Sequence, residues 1–555
     1  MPVTFVTSFF NIYDMDYDAK KTIPWRVERF EEMARTGINI CVYTSPDFAM
    51  YIDLEKFQNV ILHSTDALFI AEQSVGCSLP SVRNETKDTA GYLTVINSKT
   101  QFMADTVKKN PFGTTHFAWV DFNLSHVLFN GEPSLRYLQD LGRRTFKPKM
   151  FAIPGCWDNK YNNVHVGHVT ECIFWRFCGG FFIGDAESII QFDELYKTKY
   201  PEFISTYQKL VWEVNFWAWL EVNTDWAPEW YYAGHDDTIL TNLSASYFSL
   251  NLKDLGAMIT KYEYPELSGY NPGSASYLKH NGQHLLNTRY VNYWYYADGG
   301  YAFYDGTNII RTKNIFSILD DNFTPQFYIE MDETTIDLPS HDTYSRGIED
   351  IRLFEDTYND GRVKYIATTV GYHGTGGNRM VIGNYDFDTS SYSDSRIIQP
   401  PTNTWCEKNW VPLPGNSNLF VYKWAPMEIG EIVGGNQLEI IIRHEETINI
   451  PLFSKIKGSG PFVQFLGGDL YGVIHFSEET KPRHYFHMIV VLDKETFKPI
   501  RYSEPFVFAN IGIEFCIGFD VSVTDYTYLF WISQFDREPM LFSAPMDKIK
   551  CTYIL

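Results

Sequence analysis

Cysteine is sparse in this 555-residue chain: eight residues, at positions 41, 77, 156, 172, 178, 406, 516 and 551, with no CxxC pair. That spacing indicates neither a zinc site nor a disulfide framework, and a reducing, cytoplasmic compartment is expected. Basic residues are also short, 46 Lys and Arg against 68 Asp and Glu, for a formal charge of −22. The deficit excludes nucleic acid or an anionic membrane as the main partner, although a local metal ion can still bring a nucleotide-sugar to an acidic chain. No apolar run approaches the ~20 residues of a membrane span. The opening segment lacks a basic flank and soon reaches Asp14, Asp16 and Asp18, so it reads as a buried first strand and not a signal peptide. Charged residues are too few, at 21%, and hydrophobic ones too many, at 45%, for a disordered chain. Aromatics are abundant, with 37 Tyr, 42 Phe and 14 Trp. They suit strand-rich domains and sugar-stacking sites, with plain packing the default for most.

Residues 1–260 alternate strand-like and helix-like segments. Strands are expected at 3–10, 38–43, 60–62 and 115–120, with an amphipathic helix at 24–36 carrying Trp25, Val27, Phe30 and Met33. This rhythm predicts a three-layer α/β domain with a largely parallel sheet, whose ligands sit beyond the carboxyl ends of the strands. From about 265 to 555 the helical rhythm gives way to a weak repeat of roughly 50–60 residues. Its five anchors are 287–293 (Asn-Thr-Arg-Tyr-Val-Asn-Tyr), 348–353 (Ile-Glu-Asp-Ile-Arg-Leu), 406–412 (Cys-Glu-Lys-Asn-Trp-Val-Pro), 458–461 (Gly-Ser-Gly-Pro) and 513–516 (Ile-Glu-Phe-Cys). Repeats of this length in an all-β region predict a five-bladed β-propeller.

In the first half, residues 115–123 (Thr-His-Phe-Ala-Trp-Val-Asp-Phe-Asn) form an apolar strand that delivers Asp121 to the carboxyl edge of the sheet. Asn123 offers a second oxygen two residues on. Hard oxygen ligands at a strand end suit Mg²⁺ or Mn²⁺, which neutralises a diphosphate; a capped turn is the alternative. Residues 175–185 read as a strand interrupted by Gly179 and Gly180, as needed where backbone approaches a ligand. His235, followed by Asp236 and Asp237, can complete the metal site, with Asp236 orienting its ring; a structural histidine is the alternative.

Through the strings 4–13, 116–123, 178–185 and 212–217, the first half resembles the HtrL/YibB-type bacterial family of GT-A glycosyltransferases, over about residues 3–250. The resemblance implies nucleotide-sugar-dependent glycosyl transfer on a single GT-A-like, Rossmann-like domain. Thr7, Phe9, Asp121, Gly179 and Gly180 would contact the donor, and a saccharide or glycoconjugate would accept the sugar. The family favours Gly where Asn123 stands, so Asp121 is the better-supported ligand. An inverting transfer needs a carboxylate beside the acceptor hydroxyl, for which Glu213 and Asp185 are the candidates.

The innermost strands of the propeller would bring Arg289, Asn292, Glu349, Asp350, Arg352, Glu407, Lys408, Asn409 and Glu514 into a central funnel, where they either serve a ligand or pair structurally. This half resembles the five-bladed propellers of β-mannoside phosphorylases and related glycoside hydrolases. The resemblance rests on 349–354, where Ile351 stands in place of the family's Pro, on 407–410, and loosely on 460–472 followed by His475. It implies phosphorolysis with Lys408, Arg352 and His475 at phosphate, hydrolysis by carboxylates such as Asp350 and Glu407, or saccharide binding without turnover. The whole chain is thus expected to be a metal-dependent glycosyltransferase joined to a carbohydrate-acting propeller. The alternatives are a non-catalytic glycan-binding scaffold, or a propeller enzyme with an inactive first domain.

Overall fold

A computed structural model describes residues 1–12, 21–159, 166–357, 361–444 and 455–554; Tyr13, Asp14, Asp16 and Asp18 lie outside them. The chain divides into two units, Met1–Phe248 and Ser249–Leu555. The boundary expected near 260 falls inside the second unit. Strand Leu250–Asn251 pairs with Phe506–Val507, and Met258–Lys261 pairs with Glu538–Pro545, so the last residues assigned to the first half belong to C-terminal sheets.

The N-terminal unit is built on seven strands: β1 (Val3–Phe9), β2 (Asn39–Thr44), β3 (Val60–Ser64), β4 (His116–Val120), β5 (Phe151–Gly155), β6 (Phe181–Asp185) and β7 (Glu229–Tyr232). They are ordered β3-β2-β1-β4-β6-β5-β7. All neighbours are parallel except β6, which runs antiparallel to both β4 and β5. Every residue of β4 is buried, as an unbroken apolar run requires when both faces of a sheet are covered. The helix Ile23–Ala34 starts where the Thr22 hydroxyl accepts from Trp25 N–H, with Pro24 in the first turn, and it buries Phe30, Met33 and Ala34. Much of the aromatic content packs this unit: Trp119, Phe182, Phe192 and Trp217 form one buried cluster.

The described part of the C-terminal unit carries five sheets of four or more strands in a propeller-like arrangement. The first holds Asn271–His280, Gln283–Val291, Ile310–Leu319 and Ile329–Glu330; the second runs from Glu349–Glu355 to Ser391–Ile398; the third runs from Val411–Pro412 to Gln437–His444. A fourth is centred on Leu470–Glu478 and His484–Leu492. The fifth joins Glu514–Ser522, Thr527–Gln534 and Glu538–Pro545 to Met258–Lys261 from the start of the unit. Helix among its described residues is confined to short 3-10 turns.

His487 lies in this core against Phe506 and Phe508, with neither ring nitrogen hydrogen-bonded. Burial pushes its imidazole down to about 3. The unfolded chain therefore binds a proton below pH 6.5 that the folded chain refuses, and stability is lost as pH falls from 6.5 toward 3. From this residue alone the unfolding free energy should be about 2 kcal/mol lower at pH 5 than at pH 7. His487→Phe should flatten that slope in denaturant titrations, and an unchanged slope would refute the assignment.

Candidate functional sites

In the N-terminal unit a cavity of about 230 Å³ opens beyond the carboxyl ends of β1 and β4. The strand order reverses between these two strands, and that position is where open α/β sheets hold ligands. Ser8, Phe9 and Phe10 from the end of β1, and Asp121, Phe122 and Asn123 from the end of β4, form one wall. Lys21, Arg26, Lys87 and Lys99 supply cations. This is a locally basic lining in a chain of net charge −22.

Lys99 opens the helix Lys99–Lys109, where the helix dipole opposes a cation, and it is 2% exposed. Its ammonium is held by Glu213 Oε1 at 2.7 Å, Asp121 Oδ1 at 3.1 Å and the Gly179 carbonyl at 2.7 Å. Burial works against the charge, but the Asp121 and Glu213 carboxylates hold the amine above the usual lysine range. Burial likewise raises Glu213, with Lys99 pulling it back down. A Cβ on Gly179 would come within 2.1 Å of Glu213 Oε1, so glycine there makes room for the ion pair. The adjacent Gly180 carbonyl accepts from Asp121 N–H at 3.0 Å. The Trp119 indole donates to Asp121 Oδ1 at 2.8 Å, and Asp121 stays half exposed, at 49%.

These contacts redistribute the expected roles. Glu213 is buried, locked on Lys99 and not among the cavity residues, so it positions that amine. Asp185 caps the helix Ala186–Tyr207, accepting from Glu187 N–H, Ser188 N–H, the Ser188 hydroxyl and Met150 N–H. Although burial opposes it, these donors hold the Asp185 carboxyl below the usual range. Because β6 is antiparallel, Asp185 pairs with His116 at the start of β4, on the edge opposite Asp121. Residues 175–180 precede strand β6 and do not extend it. Thr7 is fully buried on β1 and is not among the cavity residues, whereas Phe9 is. Asn123 Oδ1 is buried without a hydrogen-bond partner, and Asn123 and Asp121 both line the cavity; oxygen donors of this kind are what a hard divalent cation would need. His235 does not share their surroundings: its ligand nitrogen lies within 4.8 Å of the Cys156 and Cys178 sulfurs. Asp236 caps Thr238, accepting from its N–H at 2.9 Å, and does not orient His235.

In the C-terminal unit a cavity of about 430 Å³ collects Arg289, Glu349, Asp350, Lys408, Asn409 and His475. Arg289 bonds Asp350 at 2.8 Å and lies 3.3 Å from Glu349. Asp350 and Asn409 take left-handed backbone, φ 55° and 64°, which Asp and Asn tolerate better than most residues. Sequence reasoning missed Asp536, also left-handed at φ 52°, whose Oδ2 accepts from the Tyr293 and Tyr295 hydroxyls at 3.0 and 2.9 Å. It also missed Lys457, Arg483 and Tyr485. Burial, then the Lys408 and Arg483 charges, hold Lys457 below the usual lysine range. Crowded like charges of this kind suit an anion.

Four expected funnel residues do other work. Arg352 is wholly buried and donates to the Ser459 and Asp350 carbonyls and to Asn409 Oδ1, which fixes the backbone of two sheets. Burial lowers its guanidinium to about 10. Glu407 is buried against the Trp410 indole at 2.9 Å, Glu514 caps the N–H groups of Phe508, Ala509 and Asn510, and Asn292 bonds Asp305 and the Ile309 carbonyl. His475 does line the cavity, but burial, then His487 and the nearby cations, push it far below the usual imidazole range, so it is neutral.

Residues 79–212 match the family model described as bacterial protein of unknown function (HtrL_YibB). No curated protein matches the chain. Among solved structures, the chain is similar to the β-1,2-mannobiose phosphorylase from Listeria innocua at 13% identity, covering 52% of this chain and 97% of that one, with TM-score 0.34. It is also similar to a glycosyl hydrolase from Bacteroides ovatus (11%, covering 55% and 96%, TM-score 0.33) and to MPT-4, a mannose phosphorylase from Leishmania mexicana (12%, covering 52% and 88%, TM-score 0.32). Among the described residues no helix is long and apolar enough to cross a membrane.

Proposed function

We propose that the N-terminal unit is a glycosyltransferase that takes its sugar from a nucleoside-diphosphate donor. The observation that carries this reading is the convergence of Lys21, Arg26, Lys87 and Lys99 on Asp121 at the sheet's reversal point. Transfer joins an acceptor oxygen to the anomeric carbon and breaks the bond to the diphosphate, which leaves with an added negative charge. The cations are placed to offset that charge in a partly enclosed site. Asp121 and Asn123 would hold a Mg²⁺ or Mn²⁺, which supplies further charge neutralisation when bound. An inverting transfer needs a base, and His126 is the cavity residue suited to it. Its Nδ1 faces the Asn123 carbonyl at 2.5 Å, and a carbonyl only accepts, so Nδ1 carries the proton and Nε2 keeps a lone pair. Calorimetry tests the reading: the full chain should bind a nucleoside diphosphate with Mn²⁺, and Asp121→Ala should weaken binding at least tenfold while the melting temperature holds. Equal affinity in both proteins refutes it.

The second cavity favours a saccharide-processing role for the C-terminal unit, whose five sheets we read as five propeller blades. Glu349, Asp350 and Asp536 share its wall with Lys408, Lys457 and Arg483, and Tyr293, Tyr295, Tyr301 and Tyr485 supply rings on which a sugar can stack. Acids beside an anion-binding cluster suit phosphorolysis, in which phosphate attacks the anomeric carbon while a carboxylic acid protonates the departing glycosidic oxygen. Release of sugar 1-phosphate from an oligosaccharide, dependent on added phosphate, would establish it.

A further inference from the structure

The topology of the N-terminal unit gathers two cysteines and a histidine on the same sheet edge as Asp121. Cys156 follows β5 and His235 lies three residues beyond β7, at the carboxyl ends of a parallel pair. Cys178 precedes β6, whose antiparallel course starts it from that edge. Two backbone hydrogen bonds join the cysteine segments, Cys156 N–H to the Trp175 carbonyl at 3.2 Å and Cys178 N–H to the Pro154 carbonyl at 2.8 Å. Gly155 permits the approach, since a Cβ there would fall 1.9 Å from the Arg176 carbonyl oxygen. The third segment is tied in by Ala233 N–H to the Gly155 carbonyl at 3.0 Å.

The sulfurs of Cys156 and Cys178 stand 3.5 Å apart, and all three ligand atoms lie within 4.8 Å of one another. Two thiolates at ~2.3 Å from a tetrahedral zinc ion are separated by ~3.8 Å, close to the spacing present. The His235 ring packs nearly perpendicular to that of Trp175, at 4.3 Å between centroids. Cys156 is partly accessible and His235 exposed, which leaves an entry path and a fourth position for water. Soft sulfur donors with one imidazole select zinc over the hard cations that suit Asp121 and Asn123. We infer that Cys156, Cys178 and His235 form a zinc site, distinct from the donor cavity, that pins Cys156 at the end of β5 and the segment 233–235 after β7 to the segment leading into Gly179 and Gly180.

The test uses untagged full-length protein, stripped with chelator under reducing conditions and titrated separately with Zn²⁺ and with Co²⁺. One Zn²⁺ per chain is expected, with a rise in melting temperature because the ion binds the folded state. The Co²⁺ form should show intense near-ultraviolet sulfur-to-metal absorption and tetrahedral visible bands. His235→Ala, a change at an exposed residue, should weaken zinc at least tenfold, and Cys156→Ser, which leaves one thiolate, should cut the near-ultraviolet band by about half or more. Failure to take up stoichiometric zinc overturns the proposal. So does uptake unchanged in both variants, or recovery of Cys156 and Cys178 as a disulfide from protein prepared with zinc present.

Discussion

Lys99→Met is expected to destabilise the N-terminal unit by about 3–5 kcal/mol, because it leaves Glu213 buried without its counterion. Glu213 is 5% exposed and its Oε1 faces the Lys99 ammonium at 2.7 Å, with Gly179 pressed against the pair. For a unit of this size the melting temperature should fall by on the order of 10 °C. The double variant Lys99→Met/Glu213→Met should recover most of the loss, since an apolar pair of similar volume removes both desolvated charges. The two proteins should differ in a second respect. Both lack the cation beside Asp121, so neither should bind a nucleoside diphosphate as the wild type does, even where the double variant melts normally. A single variant melting within about 2 °C of wild type, a shift worth less than roughly 1 kcal/mol, would mean the pair is hydrated in solution.

Asp350→Asn should lower saccharide turnover by roughly 10²–10⁴-fold, the range lost when a proton-transferring group is removed. Its thermal stability should change little, because Arg289 keeps Glu349 at 3.3 Å as a second anionic partner. Glu407→Gln supplies the contrast. Glu407 is buried against Trp410, so its loss should lower the melting temperature and leave the saccharide KM unchanged. If Asp350→Asn unfolds the protein, or Glu407→Gln loses turnover at unchanged stability, the division between cavity acid and structural acid is mistaken.

Local pattern carried the strands far better than it carried side-chain roles. An apolar run ending in Asp121 reads the same in one dimension as in three, and the cavity lies where that strand ends. Asp185 also ends an apolar run, yet β6 is antiparallel, and strand direction is set by pairing with distant β4 and β5. Anchors in the repeat located cavity-lining positions such as Asp350 and Lys408. They could not separate these from Arg352 or Glu514, whose partners come from other parts of the chain or from backbone N–H groups. Asp536 was invisible because it sits in the hairpin between Thr527–Gln534 and Glu538–Pro545, and its value comes from tyrosines some 240 positions earlier. The cysteine–histidine cluster was missed for a related reason. Its members are 22 and 57 positions apart (178 − 156 and 235 − 178), and only the sheet order brings them together.

The pairing of Met258–Lys261 with Glu538–Pro545 has a temporal consequence. Their first residues are 280 positions apart (538 − 258), so at ~5–20 residues per second a ribosome makes the first strand roughly 15–55 s before its partner. Throughout that interval the opening strand presents unpaired backbone, the kind of edge that recruits foreign strands. Bringing the two ends together then costs about 5 kcal/mol of loop entropy, which the last sheet must offset as it docks. The fifth sheet therefore acts as a clasp fastened late in synthesis, whereas the seven-stranded unit ahead of it has all its strands in hand by residue 232. A ribosome stalled short of residue 538 would hold a finished first unit attached to an incomplete set of sheets, a species marked for chaperone capture by the strand left waiting.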